Sequence, residues 1–215
     1  MSLQLDQLSL ALDGVAFIRA FSLAVEAGEI VTLMGPSGSG KSSILQAIAG
    51  GLAAPFSATG RVLVDGVEVT HMTPAKRHIG RLFQDDLLFP HLTVAENMLF
   101  GMARGARATR LEKVQKALSE IELSGFEDRP PATLSGGQRQ RVSLMRSLLA
   151  APHCMLLDEP FSKLDENLRA AMRALTFKEL LASKTPALLV THDKADAPPQ
   201  GRIYEIQNGE VIHVR

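Results

Sequence analysis

The chain has 215 residues, 46% of them hydrophobic and 21% charged, with 23 Lys and Arg against 23 Asp and Glu. That length suits one domain with an inserted subdomain, and it can bury a sizeable core without metals or disulfides. Zero net charge supplies no global basic field for nucleic acid, and the single cysteine, Cys154, excludes an intramolecular disulfide and a cysteine-built zinc site.

The opening Met1-Ser2-Leu3-Gln4-Leu5-Asp6 lacks the basic and apolar regions of a signal peptide. No run of about eighteen apolar residues is present to span a bilayer, so a cytoplasmic chain is expected. From Leu3 to Val25 apolar residues alternate loosely, which predicts antiparallel strands. Ile30 to Met34 reads as a buried strand, Gly35 to Gly40 as a loop, and Ser42 to Ala49 as a helix stopped by Gly50-Gly51. Gly60 to Val69 predicts a hairpin turning at Asp65-Gly66.

A more helical texture runs from about 87 to 150. There Thr109 is expected to cap a helix carrying Leu111, Val114, Leu118 and Ile121, with Ser124-Gly125 as its stop and a second helix from Arg139 to Ala150. Cys154 to Leu157 and Ala187 to Val190 are short apolar strands of the buried, parallel kind. Ile203 to Val214 predicts a hairpin turning at Asn208-Gly209. Together these elements predict an α/β fold with the helical block of about 87–150 inserted into its core.

Gly35-Pro36-Ser37-Gly38-Ser39-Gly40-Lys41-Ser42 matches the phosphate-loop pattern G-x-x-x-x-G-K-[ST]. Glycines let successive backbone N–H groups turn inward on an anion, and the helix that follows adds its partial positive charge. Lys41 then reaches the β- and γ-phosphates as a point charge, and Ser42 supplies a hard oxygen for Mg²⁺. Chance produces this pattern in about one chain in a hundred of this length, and a strand before it with a helix after it makes chance a poor account.

Met155-Leu156-Leu157-Asp158-Glu159-Pro160 is an apolar run that ends on two acids. Ligands of an open α/β sheet gather beyond the carboxyl ends of its strands. Asp158 is placed there to hold Mg²⁺ through water, and Glu159 to orient or deprotonate an attacking water. Seen alone, such a pair is more often a solvated turn; a phosphate loop in the same chain favours the functional reading. Leu134-Ser135-Gly136-Gly137-Gln138 makes a second anion-ready helix start, compatible with Ser135 as a plain cap. One ATP needs only one such start, so the second is a surplus.

At these motifs the sequence resembles the ATP-binding subunits of ABC transporters, over essentially the whole chain. Gly35 to Ser42 is similar to Walker A, Met155 to Glu159 to Walker B, and Leu134 to Gln138 to the family signature. Gln84, in Leu82-Phe83-Gln84-Asp85, matches the Q-loop, Ser162-Lys163-Leu164-Asp165 the D-loop, and His192, in Thr191-His192-Asp193, the switch histidine. The resemblance implies a P-loop NTPase core with an N-terminal antiparallel β subdomain and an inserted helical subdomain. It implies ATP and Mg²⁺ as cofactors. Gly35, Pro36, Ser37, Gly38, Ser39, Gly40, Lys41, Ser42 and Ser43 would surround the nucleotide, and Ser42, Gln84 and Asp158 the metal.

By the same resemblance Glu159, His192 and Gln84 are the catalytic side chains. The surplus helix start is answered by a head-to-tail homodimer, in which Ser135, Gly136, Gly137 and Gln138 meet the γ-phosphate in trans. Asp165 is carried over as the D-loop residue. The family's adenine-stacking ring falls on Leu12, with Phe17 as a substitute, and an aliphatic contact forgoes about 1 kcal/mol of stacking. Lys163 stands where the D-loop carries a small residue, and Pro198-Pro199 predicts a broken helix after His192.

Phe83 to Asn97 resembles the Q-loop region of bacterial importer ATPases, and the sequence as a whole is similar to a small uncharacterised bacterial importer ATPase group related to the thiamine type. That implies transmembrane permease subunits, indirectly a solute-binding protein, and a peripheral place on the inner face of the membrane, with no nucleic acid partner. Three alternatives fit less well. A soluble ABC-type ATPase of DNA repair needs a long coiled coil between Lys41 and Ser135, and only 93 residues lie there, without sustained heptads. ABC proteins of translation carry two cassettes and basic contacts. Asp193-Lys194-Ala195-Asp196 superficially resembles the guanine-reading N-K-x-D of GTPases, but its first position is Asp and the signature pentapeptide would go unexplained.

Overall fold

The structure is a computed structural model and describes residues 1–83 and 85–215. The chain folds as two compact units, one of Met1–Arg81, Pro152–Glu159 and Phe177–Arg215, the other of Leu82–Ala151 and Pro160–Thr176.

The first unit contains an antiparallel sheet of β1 (Leu3–Leu12), β2 (Val15–Val25), β4 (Phe56–Val64) and β5 (Val67–Glu68), in the order β2-β1-β4-β5. The loose alternation of its first strand has a local cause. Leu3 and Leu5 face the core, and so do Leu8 and Leu10, so the two-residue period slips by one between them. A break in pairing register absorbs the slip, with Gln7 at φ 50°. Opposite it, a Cβ on Gly60 would fall 2.3 Å from the Gln7 carbonyl oxygen, so only glycine fits there.

The second sheet runs β10-β9-β3-β8-β7-β6. It is built from β3 (Ile30–Met34), β6 (Ile79–Leu82), β7 (Cys154–Asp158), β8 (Ala187–Val190), β9 (Ile203–Gln207) and β10 (Glu210–His213). β3 pairs parallel with both β8 and β9, β7 pairs parallel with β8, and β9–β10 is an antiparallel hairpin. Every residue of β3, β7 and β8 is buried, which is why their sequences read as continuous apolar runs rather than alternating ones. Helix α1 (Lys41–Ala49) follows β3 and buries Ile44, Leu45 and Ile48. Gly50 ends it in the left-handed conformation. The buried Arg77 guanidinium donates to the carbonyls of Ala47 and Ile48 at 3.1 and 2.7 Å, and also to those of Thr70 and Met72. These bonds satisfy the C-terminal acceptors that a helix leaves open.

Arg202, at the head of β9, ties the same unit together. Its Nε and Nη2 donate to the two Glu29 carboxylate oxygens at 2.6 and 2.8 Å, and Nη2 also reaches the Ala24 carbonyl. Partial burial alone would raise the Glu29 carboxyl; the Arg202 bonds and the Glu26 N–H outweigh it and hold Glu29 below its ordinary value. A depressed carboxylate stabilises the fold above its unfolded pKa and loses that contribution as pH falls through its folded one. Arg202→Met is therefore expected to lower stability by about 1 kcal/mol at pH 7, an allowance already reduced for the partly exposed guanidinium. The gap from the parent should narrow below about pH 4, as urea denaturation at pH 7 and pH 3 would show.

The second unit is helical. It holds α2 (Val94–Gly101), α3 (Arg107–Glu120), α4 (Gly136–Leu149) and the beginning of α5 (Glu166–Ala182), whose residues from Phe177 count with the first unit. Thr93 and Glu96 cap α2 reciprocally through side chain and backbone. Thr109 caps nothing: α3 starts at Arg107 after Ala106, which makes no side-chain cap bond, so Thr109 lies inside the first turn. The helix also stops before Ser124-Gly125, because Glu122 takes the left-handed position at φ 57°. Among the described residues no helix is long and apolar enough to cross a membrane.

Candidate nucleotide site

The loop after β3 curls where glycine permits it. A Cβ on Gly35 would lie 2.8 Å from Ser39 Oγ, and one on Gly40, at φ 98°, would lie 2.9 Å from the Phe17 ring and 3.0 Å from Ile18. Gly40 is the N-cap of α1 and offers no side chain, and the first turn of the helix carries no acid. The leading N–H groups and the positive end of α1 are thus left for an anion. Pro36, Ser37 and Gly38 form the exposed tip of the loop, and Ser43 is half-buried in the first turn. Lys41 is 7% exposed and its Nζ donates to the carbonyls of Gly35 and Pro36, both at 2.8 Å. Among the described residues, the buried Ser39 Oγ has no hydrogen-bond partner.

The acids stand two strands away on the same edge. Ser42 Oγ donates to Asp158 Oδ1 at 3.2 Å, and Asp158 Oδ2 faces Arg81 Nη2 at 3.6 Å. Burial raises the Asp158 carboxyl above its ordinary value and Glu159 adds to this, against the pull of Ser42 and Arg81. The parallel register sets Asp158 beside Val190, so the residues just past β8 come up beside Glu159. Glu159 N–H donates to the Val190 carbonyl at 2.9 Å, and Glu159 Oε1 lies 3.1 Å from His192 Nδ1. Glu159 itself sits at φ 47°, a strained conformation for a non-glycine residue that turns its carboxylate out of the strand.

The segment bearing His192 is braced from behind. Thr191 Oγ1 donates to the buried Asp196 at 2.9 Å and accepts from Asp193 N–H, while the Asp193 carboxylate caps the single 3₁₀ turn Lys194–Asp196 through Ala195 N–H. Both acids of the Asp193-Lys194-Ala195-Asp196 run thus take part in the local turn. That one turn is all the helix that precedes Pro198-Pro199.

In the second unit Ser135 caps α4. Its Oγ accepts from Gln138 N–H at 3.3 Å, and Gln138 Oε1 accepts from Ser135 N–H at 2.8 Å. The Gly136 and Gly137 pair opens the helix with ordinary room for a Cβ at both. Asp165 accepts from Leu168 N–H at 3.1 Å and so starts α5. Lys163 pairs with Asp85 at 3.1 Å, an exposed contact. Gln84 lies outside the described residues.

The structure therefore brings Lys41, Ser42, Asp158, Glu159 and His192 together in the first unit. Ser135, Gly136, Gly137, Gln138 and Asp165 belong to the second unit. Leu12, 39% exposed, ends β1 and pairs with Val15 and Phe56; Phe17 is half-buried, with its ring edge-on to Phe56 at 5.9 Å. Sequence reasoning missed Arg81. Its signal was a cation inside the otherwise apolar strand Ile79-Gly80-Arg81-Leu82.

A glycine-rich loop between a buried parallel strand and a helix, with acids at the end of a nearby parallel strand, is the form of a P-loop nucleotide-binding protein. The family model described as ABC transporter matches residues 18–162. The chain is 42% identical over 199 residues, 92% of each chain, to the uncharacterized ABC transporter ATP-binding protein YnjD of Escherichia coli. It is 39% identical, over its whole length and 60% of the relative, to the sulfate/thiosulfate import ATP-binding protein CysA of Synechocystis. It is also 40% identical, over 90% of its length and 52% of the relative, to the putative 2-aminoethylphosphonate import ATP-binding protein PhnT of Salmonella choleraesuis. The chain thus spans little more than half the length of these two import proteins. A solved dimeric structure of the ATP-binding cassette MJ0796, in a post-hydrolysis state with ADP and Pi, superposes with a TM-score of 0.84 at 31% identity, over 97% of this chain and 96% of that one. The chain belongs to the ABC transporter family, as an ATP-binding subunit whose chemistry is ATP hydrolysis.

Proposed function

We propose that the chain powers an importer, working as a head-to-tail homodimer on separate transmembrane permease subunits that a solute-binding protein supplies. It would act from the cytoplasm, peripheral on the inner face of the membrane. The likeness to CysA and PhnT, both named as import ATP-binding proteins, supports import as the direction. The zero net charge is in keeping with a protein that binds no nucleic acid. The soluble repair-type alternative gains no support from the 94–149 region, whose helices run 8, 14 and 14 residues with no long coiled coil among them.

In this reading Lys41 and the N–H groups of Gly35 to Ser43 hold the phosphates, and Leu12 and Phe17 flank the base. Ser42 and Asp158 offer two hard oxygens on neighbouring elements, and Gln84 would join them. Such a set suits Mg²⁺, which keeps several waters and takes its other ligands from phosphate. When bound, the ion would neutralise charge developing on the phosphates. Glu159 accepts the proton of the attacking water, and His192 orients that carboxylate and steadies the γ-phosphate. ATP drives closure only if the closed dimer binds it better than the open one, which is the task given to Ser135, Gly136, Gly137 and Gln138 of the opposite chain. Asp165 would stand at the dimer contact. Loss of the γ-phosphate then lets the chains part.

The observation that carries this reading is the glycine-opened start of α4, capped by Ser135 and Gln138, a second helix N-terminus of the kind that favours an anion and that a single nucleotide on a single chain does not require. Ser135→Arg is expected to block dimer closure while sparing nucleotide binding by the monomer. Mixed with Lys41→Ala chains, it should restore one working site per dimer at most, read as ATPase activity against mixing ratio. Full two-site activity would reject the trans arrangement.

A further inference from the structure

Asp158 has two carboxylate oxygens and each has its own partner. Oδ1 accepts the Ser42 hydroxyl at 3.2 Å, and Oδ2 faces the Arg81 guanidinium at 3.6 Å. The two side chains of that ion pair are only 9% and 11% exposed. A guanidinium is permanently charged and costly to desolvate, and β6 places this one between Gly80 and Leu82, where an apolar residue would pack without that cost. Lys41, the other cation at this edge, points its ammonium at the Gly35 and Pro36 carbonyls. Arg81 is therefore the cation that the structure sets against Asp158.

We propose that Arg81 is an internal counter-ion. It holds the Asp158 carboxylate in place when metal is absent and competes with Mg²⁺ for it, so that it sets the metal concentration at which the site loads. The inference rests on the reading of Ser42 and Asp158 as metal ligands. Arg81 is a positioning residue: it acts through Asp158. A divalent ion approaching Asp158 meets a like charge beside the same carboxylate, in surroundings where that repulsion is several times stronger than in water.

Removal of the guanidinium has two effects of opposite sign. The metal-free protein is left with a buried, uncompensated carboxylate and loses stability. The metal-loaded protein is relieved of repulsion and holds its ion more tightly. An arginine with a packing role alone would lower stability equally with and without metal and leave the Mg²⁺ requirement unchanged.

The test compares the parent with Arg81→Met and Arg81→Lys. A fluorescent ATP analogue is titrated in chelator and across a series of free Mg²⁺ concentrations, and thermal midpoints are taken in the same buffers. For Arg81→Met the half-saturating Mg²⁺ concentration for nucleotide binding should fall by about tenfold. Its midpoint should drop in chelator and recover with Mg²⁺ and nucleotide by more than the parent's does. Arg81→Lys keeps the charge and should stay close to the parent in both. If Arg81→Met fails to fold in chelator, Arg81→Gln takes its place, with the same expected fall. An unchanged or raised Mg²⁺ requirement, or an Arg81→Lys that behaves like Arg81→Met, overturns the proposal. A parent protein that fails to bind the analogue at saturating Mg²⁺ would instead refute the nucleotide-site reading, so the two failures are distinguishable.

Discussion

Glu159→Gln is expected to lower ATP turnover by about 10²- to 10⁴-fold while leaving ATP bound. The amide has the shape of the carboxylate and can keep a hydrogen bond to His192, now 3.1 Å away. It cannot accept the proton of an attacking water. The substitution leaves Lys41, Ser42 and Asp158 untouched, so nucleotide affinity should be nearly unchanged. If hydrolysis is what separates the two chains, the variant should accumulate as an ATP-bound dimer. Single-turnover assays with radiolabelled ATP, read beside size-exclusion chromatography, check both halves. Normal hydrolysis would move the base to another residue. Slow hydrolysis without dimer would leave the base in place and remove the link between ATP and closure.

Lys41→Ala is the second large effect. Lys41 is buried, and its ammonium donates to two carbonyls at 2.8 Å. In the proposed reading these neutral acceptors would be exchanged for phosphate oxygens, and hydrogen bonds to a charged group contribute about 1.5–3 kcal/mol each. Its loss should weaken ATP binding by about 10- to 150-fold. The variant should nevertheless fold, because the loop's shape is set by Gly35 and Gly40 and by Ser39 N–H on the Pro36 carbonyl rather than by the lysine. Isothermal titration with ATP and a thermal melt without it separate the two statements. Unchanged affinity would contradict the phosphate-loop reading.

Much of this was legible from residues alone, for identifiable reasons. Strands β3, β7 and β8 are buried on both faces, so their apolar runs stood out, and Asp65-Gly66 and Asn208-Gly209 have the turn chemistry that their hairpins require. Among the numbered strands and helices of the described residues, three went unread. The Thr93-to-Glu96 capping box of α2 is written in the chain, but the helix behind it is short. Helix α5 mixes Arg, Lys and Glu with Leu and Ala over 17 residues and lacks the clean stripe of α3. Strand β6 is four residues long and holds an arginine, which hid it from any pattern built on hydrophobicity. That same arginine is the neighbour of Asp158 that site reasoning did not anticipate, since no local signal tells which acid a buried cation will meet across a sheet. Thr109 was misjudged because a good capping residue is worth only about 1 kcal/mol, too little to fix where a helix begins.

The closeness of Phe17 and Ile18 to Gly40 has a bearing on how variants of this protein would be understood. The loop proposed to hold the phosphates leans on β2, in the antiparallel sheet that also carries Leu12. Lesions in that strand would masquerade as defects of nucleotide capture, and a screen sorting clones by ATP retention would recover the N-terminal hairpin alongside the lysine loop. Evolution is then free to vary the hairpin's outer face but not the two side chains that prop the cradle.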